Sequence, residues 1–290
     1  MQHRPSPRET RPGPWCPPFA SGAALALHTA APAWVALAPG NWALALGAVA
    51  ASHAILGVAG LFPRNQVVGP TITALPGRPP GLVTLTFDDG PDPHTTPRVL
   101  DLLDRYQARA SFFMIGARAA AYPDVVREVV RRGHHVENHT MHHRHGFALL
   151  GVRGQRRELE AAQDVLAHLA GRCPVLARAP AGIRSPLTDL VLHSLGLRHA
   201  SWTRRGFDTR GADPAAVLRR LTHGLRGGDM LMLHDGNVAQ GPSGRPVVLD
   251  VLARLLPMLA TAGLRPLPLA QALSHATAAT PAGASAAVRR

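Results

Sequence analysis

The stretch GLVTLTFDDGP, residues 81–91, joins the pattern of a buried strand to two adjacent acidic residues. Its apolar and β-branched residues predict a strand over residues 82–87. Asp88 and Asp89 follow at the carboxyl end of that strand, and the Gly-Pro pair after them is typical of a turn. A turn alone accounts for this pattern, so a chemical role for the two carboxylates depends on partners elsewhere in the chain.

The alternation of short apolar runs with helical segments continues to residue 268. Strands are predicted at 82–87, 110–115, 134–138, 174–178, 197–202, 229–233 and 264–268. Helices are predicted between them at 97–107, 118–132, 154–170, 187–195, 213–225 and 246–262. Such alternation indicates parallel βαβ units, in either a barrel or a doubly wound sheet.

The N-terminal part of the chain differs in composition. Residues 1–18 are rich in arginine and proline, whereas residues 19–62 contain no charged side chain. Within them, residues 41–62 are apolar over a length sufficient to cross a bilayer, which takes about 20 residues. This composition predicts a membrane anchor.

A second apolar segment precedes the first candidate span. Residues 19–38 are similar in length but contain His28 and Pro32, and Pro-Gly-Asn at 39–41 is typical of a turn. We therefore expect one or two transmembrane helices within residues 19–63, forming a hairpin if both span.

Two alternatives to an anchor remain open: a cleaved signal peptide, whose apolar core is shorter at about 7–15 residues, and a buried helical pair. The side of the membrane is also open. If both segments span, the arginines flanking the hairpin place the main domain in the cytoplasm. If only residues 41–62 span and the N-terminus is inside, the main domain lies outside an inner or plasma membrane.

The composition limits the classes of protein to which the chain can belong. A chain of 290 residues with 46% hydrophobic and 17% charged residues is not a disordered protein, and its length suits one barrel-sized domain with an appendage. The net charge of +13 is carried by scattered arginines without a recognition helix or aromatic platform, so no nucleic-acid partner is expected. Only residues 276–290 are of low complexity, and we expect a disordered tail there.

Two histidines suggest a metal site. His139 and His143 are four residues apart in the stretch NHTMHH, so one helical turn would place both imidazoles on one face. Together with one carboxylate they would form a two-histidine, one-carboxylate site, as catalytic zinc requires. In a parallel fold the strand ends converge, so Asp88 and Asp89 are candidates for that carboxylate.

Five short motifs occur in a fixed order along the chain. They are TFDDGP (86–91), HTMHH (139–143), RAPAG (178–182), WTRRGFD (202–208) and LMLHD (231–235). This series resembles that of the polysaccharide deacetylases, the NodB-like domain of carbohydrate esterase family four. The resemblance implies a deformed (β/α) barrel of seven or eight strands at residues 80–275, preceded by the hydrophobic helical hairpin.

The resemblance also implies a site and a reaction. Asp89, His139 and His143 would bind a divalent metal, expected to be Zn²⁺, with Co²⁺, Ni²⁺ or Mn²⁺ as alternatives. Asp88 would be the general base toward a metal-activated water, and His234 the general acid. The implied enzyme removes acetyl groups from N-acetylated or O-acetylated sugars of a glycan; the alternatives are a deacylase of a lipid-linked sugar at the membrane face and a non-catalytic glycan-binding barrel.

Three further residues have roles implied by the resemblance. Arg178 would pair with Asp88 and orient it, Asp208 would hold the His234 imidazole in its cationic form, and the backbone N–H of Ala181 would donate to the oxyanion.

The chain departs from the family pattern at three positions. Ala181 stands where an aromatic residue is common, Arg205 where an aspartate is common, and Thr209 where tryptophan is common. These differences concern the choice of substrate rather than the chemistry.

Overall fold

The computed structural model describes residues 14–279. Residues 1–13 of the arginine- and proline-rich segment and residues 280–290 of the expected tail lie outside the described residues. The ten helices of the described part are α1 Phe19–Leu37, α2 Trp42–Gly60, α3 Thr96–Arg105, α4 Gly116–Ala121, α5 Pro123–Arg131, α6 Val152–Ala170, α7 Pro186–Ser194, α8 Pro214–Thr222, α9 Val247–Thr261 and α10 Leu269–Ala279. Its eight strands are β1 Leu82–Asp88, β2 Ser111–Met114, β3 His135–Asn138, β4 Leu176–Ala177, β5 Arg198–His199, β6 Arg204–Arg205, β7 Met230–His234 and β8 Arg265–Pro266.

Strand β1 lies at the centre of a parallel sheet. It pairs with β2 on one side and with β7 on the other, in the order β5-β4-β3-β2-β1-β7-β6. All seven of its residues are buried, as expected for a central strand covered by helices on one face and by barrel residues on the other. The register places Asp88 beside His234 of β7, so the ends of the two strands coincide.

The two edge strands of this sheet are consecutive in the chain. β5 ends at His199 and β6 begins at Arg204, yet they lie at opposite ends of the sheet order. Five Cα steps span at most about 18 Å, so the sheet must curl until its edges approach each other. Residues 198–205 therefore close a barrel, pairing with β4 at one end and with β7 at the other.

The barrel is irregular, because β8 pairs only with the first two residues of β1. The expected deformed barrel is confirmed, here with eight parallel strands, and the doubly wound alternative is excluded. The main core lies between β1, β2, β7 and the helices that cover them, and α9 alone contributes eight buried residues to it. The strand ends converge at one opening of this barrel, where polar side chains collect.

The two apolar helices expected before the barrel are present. α1 and α2 are joined by a short 3₁₀ turn at Pro39–Asn41 and pack against each other. His28 and Pro32 do not interrupt α1, and the His28 Nε2 atom lies 3.0 Å from that of His53 on α2. Both helices are long and apolar enough to cross a membrane, judged by length and composition alone.

Three elements differ from the sequence prediction. The helix predicted at 118–132 is two helices, because Pro123 starts a new one after Tyr122. β6 was not predicted, because a strand of two residues is too short to show the alternation of apolar and polar residues. α10 was also missed; it continues to Ala279, so the prediction that the tail is disordered from residue 276 is wrong for residues 276–279.

Candidate active site

The two adjacent aspartates face the same cavity. Successive side chains of a strand point to opposite faces, so two neighbours can converge only if the backbone leaves the strand between them. Asp88 is the last residue of β1, and Asp89 has a φ of 69°, in the left-handed region that aspartate tolerates. Both carboxylates consequently line one cavity of about 350 Å³.

Three ligand-type side chains converge at this cavity. The Oδ1 atom of Asp89 lies 3.3 Å from the Nε2 atom of His139 and 3.3 Å from that of His143. The ligand atoms of these three residues all lie within 4.8 Å of one another. The Nδ1–H of His139 donates to the Arg178 carbonyl at 2.8 Å, which leaves Nε2 free to bind a cation.

The electrostatics of the three groups suit a cation. Burial raises the pKa of Asp89, but His139 and His143 more than reverse this, and the pKa is well below its ordinary value. Burial lowers the pKa of His143 to about 4, so its imidazole is neutral at pH 7. Asp89 Oδ1 is buried without a hydrogen bond from the described residues, so it has capacity for a ligand.

The backbone between the two histidines is a loop. The helical turn expected from their spacing is wrong, because Thr140 and His143 have φ values of 63° and 49°. Asn138 Oδ1 accepts a hydrogen bond from the Thr140 N–H at 2.9 Å, and Thr140 Oγ1 accepts one from the His143 N–H at 3.1 Å. These bonds fix a tight turn that still brings both imidazoles together, with ring centres 4.7 Å apart.

Arg178 lies behind Asp88 and is fully buried. Its NH1 group donates to Asp88 Oδ1 at 2.5 Å, and its other nitrogens donate to the carbonyls of Ala200 and Ser201. The guanidinium also lies over the ring of Phe113, 4.0 Å from its centre. These contacts hold one oxygen of Asp88 in place and leave the other facing the cavity.

His234 and Asp208 form a second buried pair on the other side of β1. The Nδ1–H of His234 donates to Asp208 Oδ1 at 2.7 Å, and the His234 backbone N–H donates to Oδ2 at 2.8 Å. Burial lowers the pKa of His234, but the Asp208 carboxylate more than offsets this, and the pKa is raised. The imidazole lines the same cavity as Asp88 and Asp89.

Ala181 occupies the central position of a 3₁₀ turn at Pro180–Gly182 and lines the cavity. Its φ of 53° turns the peptide away from the ordinary 3₁₀ geometry. No acceptor among the described residues takes a hydrogen bond from the Ala181 N–H. The structure thus brings together all eight residues selected from the sequence, with Arg178 and Asp208 as supports behind the cavity wall.

Several residues around the cavity were not selected from the sequence, among them Asn237, Arg118 and His145. The Asn237 side chain donates to Asp89 Oδ2 at 3.1 Å and accepts from Arg118 at 2.8 Å, while Arg118 also donates to the Asp89 carbonyl at 2.7 Å. His145 lines the cavity edge-on to His143, with ring centres 5.7 Å apart. Only the position of Asn237, three residues after His234, could have marked it from the sequence.

If Asp89 binds a metal, replacing Asn237 by Ala is expected to weaken that binding by about 10–100-fold, because the Asn237 side chain orients the Asp89 carboxylate. Zinc affinity, measured by competition with a chromogenic chelator, checks this. Gln271→Ala, which removes an exposed amide on α10, is the matched control and should keep the wild-type affinity. Equal affinities for the two variants would show that Asn237 does not orient Asp89.

The fold and this cavity define a hydrolase-type site: a trio of candidate cation ligands, a carboxylate and an imidazole at the mouth of a parallel α/β barrel. A family model described as polysaccharide deacetylase matches residues 76–200. A peptidoglycan-N-acetylglucosamine deacetylase of Bacillus cereus is 31% identical over 186 residues, which cover 63% of this chain and 84% of the relative. A chitooligosaccharide deacetylase of Sinorhizobium fredii is 37% identical over 196 residues, covering 64% of this chain and 90% of the relative.

A solved structure gives the same result. The family 4 carbohydrate esterase from Streptomyces lividans in complex with acetate is 30% identical, with a TM-score of 0.58, and the match covers 64% of this chain and 91% of that chain. The chain therefore belongs to the polysaccharide deacetylase family, as its five motifs indicated. As a member of this family it is an enzyme.

Proposed function

We propose that this chain is a metal-dependent hydrolase that removes acetyl groups from N-acetylated, or O-acetylated, sugars of a polysaccharide or oligosaccharide. The observation that carries the proposal is the convergence of Asp89, His139 and His143 beside Asp88 and His234 in one cavity. A glycan-binding barrel without activity would have no need of this combination.

The residues fit a divalent cation. Asp89, His139 and His143 would hold it with one oxygen and two nitrogen atoms, and the unpartnered Asp89 Oδ1 is the atom that a cation would satisfy. Two imidazoles and one carboxylate favour Zn²⁺, with Co²⁺, Ni²⁺ or Mn²⁺ as alternatives. A bound cation would activate water and polarise the acyl carbonyl.

Asp88 is proposed as the general base. Because Arg178 occupies one of its oxygens at 2.5 Å, the other remains available to accept a proton from water as the new C–O bond forms. The Arg178 guanidinium has no freedom to turn away, since the carbonyls of Ala200 and Ser201 also accept hydrogen bonds from it. The Ala181 N–H would donate to the oxygen that gains negative charge in this step.

His234 is proposed as the general acid. Its Nδ1–H is held by Asp208, so Nε2 is the atom that can give a proton to the departing amine while the C–N bond breaks. The products are acetate and a free amino sugar, and the proton taken by Asp88 balances the one given by His234.

Asp208→Asn is expected to move the alkaline limit of activity to lower pH. His234 serves as an acid only when protonated, and Asp208 raises its pKa, so the variant should lose the proton at lower pH. At alkaline pH we expect a loss of kcat of roughly 10²-fold. The pH profile of kcat checks this, with the exposed Asp124→Asn as the matched control. A profile unchanged in shape would contradict the role of Asp208.

Acetate release tests the proposed activity. The full chain in detergent is incubated with chitooligosaccharides and acetylated peptidoglycan fragments, before chelation, after chelation and after zinc is restored. The proposal predicts release that chelation abolishes and zinc restores. Release that persists after complete removal of metal would overturn the metal dependence.

We further propose that the hairpin α1–α2 anchors the enzyme in an inner or plasma membrane. Its large apolar side chains are mostly exposed, as in Phe19 and Leu37 at 92% and 88%, and such exposure is unfavourable in water. Leu44 and Ile55 on α2 are more than 60% exposed. The exposed apolar surface of these two helices is the observation that supports an anchor.

The anchor favours a second candidate activity, on a lipid-linked sugar at the membrane face. The Gly60 carbonyl at the end of α2 accepts a hydrogen bond from the Arg184 N–H at 3.1 Å. Pro63 then packs so closely on Gly182 that a Cβ there would lie 2.6 Å from the proline ring. The turn that presents the Ala181 N–H is thus in contact with the end of the hairpin, so the cavity would open near the lipid surface.

Placing two charges in α2 is expected to release the protein from membranes. A charge costs about 2.5–3.5 kcal/mol at the centre of a bilayer. Leu44 and Ile55 lie on either side of the middle of α2, so Leu44→Arg with Ile55→Arg is expected to cost less than twice that amount. Carbonate extraction of cell membranes, with the chain detected in pellet and supernatant, measures the effect. Leu149→Arg, a change at a 90% exposed position outside the hairpin, is the control and should remain in the pellet. Retention of the double variant would argue against a spanning hairpin.

A further inference from the structure

One charged side chain in the catalytic cavity has no role in the proposed mechanism. Arg205, in β6, lines the cavity together with Asp88, Asp89 and His234. Its Nε atom is buried and has no hydrogen-bond partner among the described residues. A guanidinium has five N–H donors, and a buried donor such as this Nε–H is costly to leave without an acceptor.

In the part of the chain that the structure describes, none of the nearby carboxylates forms an ion pair with Arg205. Asp88 is paired with Arg178 at 2.5 Å, and Asp208 is paired with His234 at 2.7 Å. Asp89 faces the two histidines of the cation-binding trio. Among the described residues, none of these carboxylates lies within the 4.0 Å of Arg205 that an ion pair requires.

Aromatic rings hold the guanidinium in place. Its central carbon lies over the rings of Trp202 and Phe207, 5.2 Å and 4.8 Å from their centres. These contacts position the group by cation–π attraction and displace water from it. The side chain is therefore ordered toward the cavity before any ligand arrives.

A second cation lies at the same wall. Arg210 also lines the cavity, and it is exposed. Burial lowers the pKa of the Arg205 guanidinium. The carboxylates of Asp88 and Asp208 act in the opposite direction, whereas the positive charge of Arg210 lowers the pKa further. Two neighbouring guanidinium groups that repel each other are stabilised when an anion lies between or beside them.

We propose that Arg205, with Arg210 beside it, recognises a negatively charged group on the sugar substrate, either a carboxylate or a phosphate. The planar guanidinium matches both groups through paired hydrogen bonds. The inference rests on the proposed function, because it places the anion on the sugar whose acetyl group lies at the cation-binding trio. Neutral sugar hydroxyls would accept single hydrogen bonds but would leave the charge uncompensated.

Substrate preference tests the inference on the full chain in detergent. The values of kcat/KM are measured for N-acetylglucosamine 1-phosphate, for N-acetylmuramic acid, which carries a carboxylate, and for neutral N-acetylglucosamine. The anionic-to-neutral ratio is expected to fall about 10–100-fold in Arg205→Gln. Arg205→Lys, which keeps the charge, should recover part of the ratio, and Arg254→Gln, an exposed charge on α9, should keep it unchanged.

The test measures the two candidate anionic groups, phosphate and carboxylate, separately. A preference for the phosphate sugar or for the carboxylate sugar supports the inference and identifies the group. Equal ratios in the wild type and in Arg205→Gln would overturn it, and a structural role for Arg205 would lower all three values together.

Binding separates this inference from the proposed activity. Calorimetric titration of chelator-treated protein with N-acetylglucosamine 1-phosphate and with N-acetylglucosamine requires no turnover. Tighter binding of the phosphate sugar, lost in Arg205→Gln, supports the anion site even if no sugar is deacetylated. Acetate release with no such difference in binding would leave the proposed function standing and remove the anion site.

Discussion

Asp88→Asn is expected to lower kcat by about 10²–10⁴-fold, the usual contribution of a general base, while the protein keeps its metal. The amide has nearly the same shape but cannot accept a proton from water. Asp88 contacts Arg178 and not the nitrogen atoms that would bind the cation, since its nearest approach to His139 Nε2 is 4.0 Å. Steady-state acetate release and metal content, measured on one sample, check the result.

The variant leaves Arg178 buried without its counter-ion, and breaking such a pair costs about 3–5 kcal/mol of stability. The thermal midpoint must therefore be measured, and turnover compared well below it. Exposed Asp124→Asn is the control for an acidic-to-amide change and should retain full activity. Full activity in folded Asp88→Asn would exclude Asp88 as the general base.

Removing the His139 imidazole is expected to abolish both stoichiometric metal and acetate release. His139 is the only member of the trio whose free nitrogen is fixed by a bond to a backbone carbonyl on the other side of the ring, at 2.8 Å. Its loss leaves Asp89 and His143, too few ligands for a catalytic zinc site. Metal analysis by mass spectrometry, together with acetate release, measures the effect.

Two comparisons keep this result interpretable. His139→Gln fills the space that His139→Ala leaves empty, so a loss common to both is due to the ligand and not to the cavity. His168→Ala removes an exposed histidine on α6 and should retain metal and turnover. Full metal content in both His139 variants would show that the cation, if any, is held elsewhere.

The sequence predicted the barrel well because its signals are local. The apolar run of β1 and the proline that starts α5 are visible in a few consecutive residues. The prediction nevertheless treated residues 118–132 as one helix and did not end it before Pro123. β6 has two residues and no period of its own; only its pairing with β7 makes it a strand. Strand order and curvature arise from such pairings between distant segments, so the doubly wound alternative could not be excluded earlier.

The sequence predicted those site residues whose side-chain type alone indicates a chemical role. It did not predict the backbone geometry that brings these side chains together. Asp89 and His143 were selected by type, but their left-handed φ values, which turn them into the cavity, have no sequence signature in non-glycine residues. Asn237 and Arg118 reach Asp89 only after β7 and α4 are brought together by the barrel. The unpaired charge of Arg205 is likewise a property of its neighbours.

The central claim is that the two adjacent aspartates divide the work: Asp89 holds the metal and Asp88 handles the proton. The most direct measurement compares metal content and acetate release in Asp88→Asn and Asp89→Asn, prepared side by side. We predict that Asp88→Asn keeps stoichiometric metal without turnover, whereas Asp89→Asn loses the metal and, with it, the turnover. Loss of metal in Asp88→Asn with retention in Asp89→Asn, or the same metal content in both, would contradict this division.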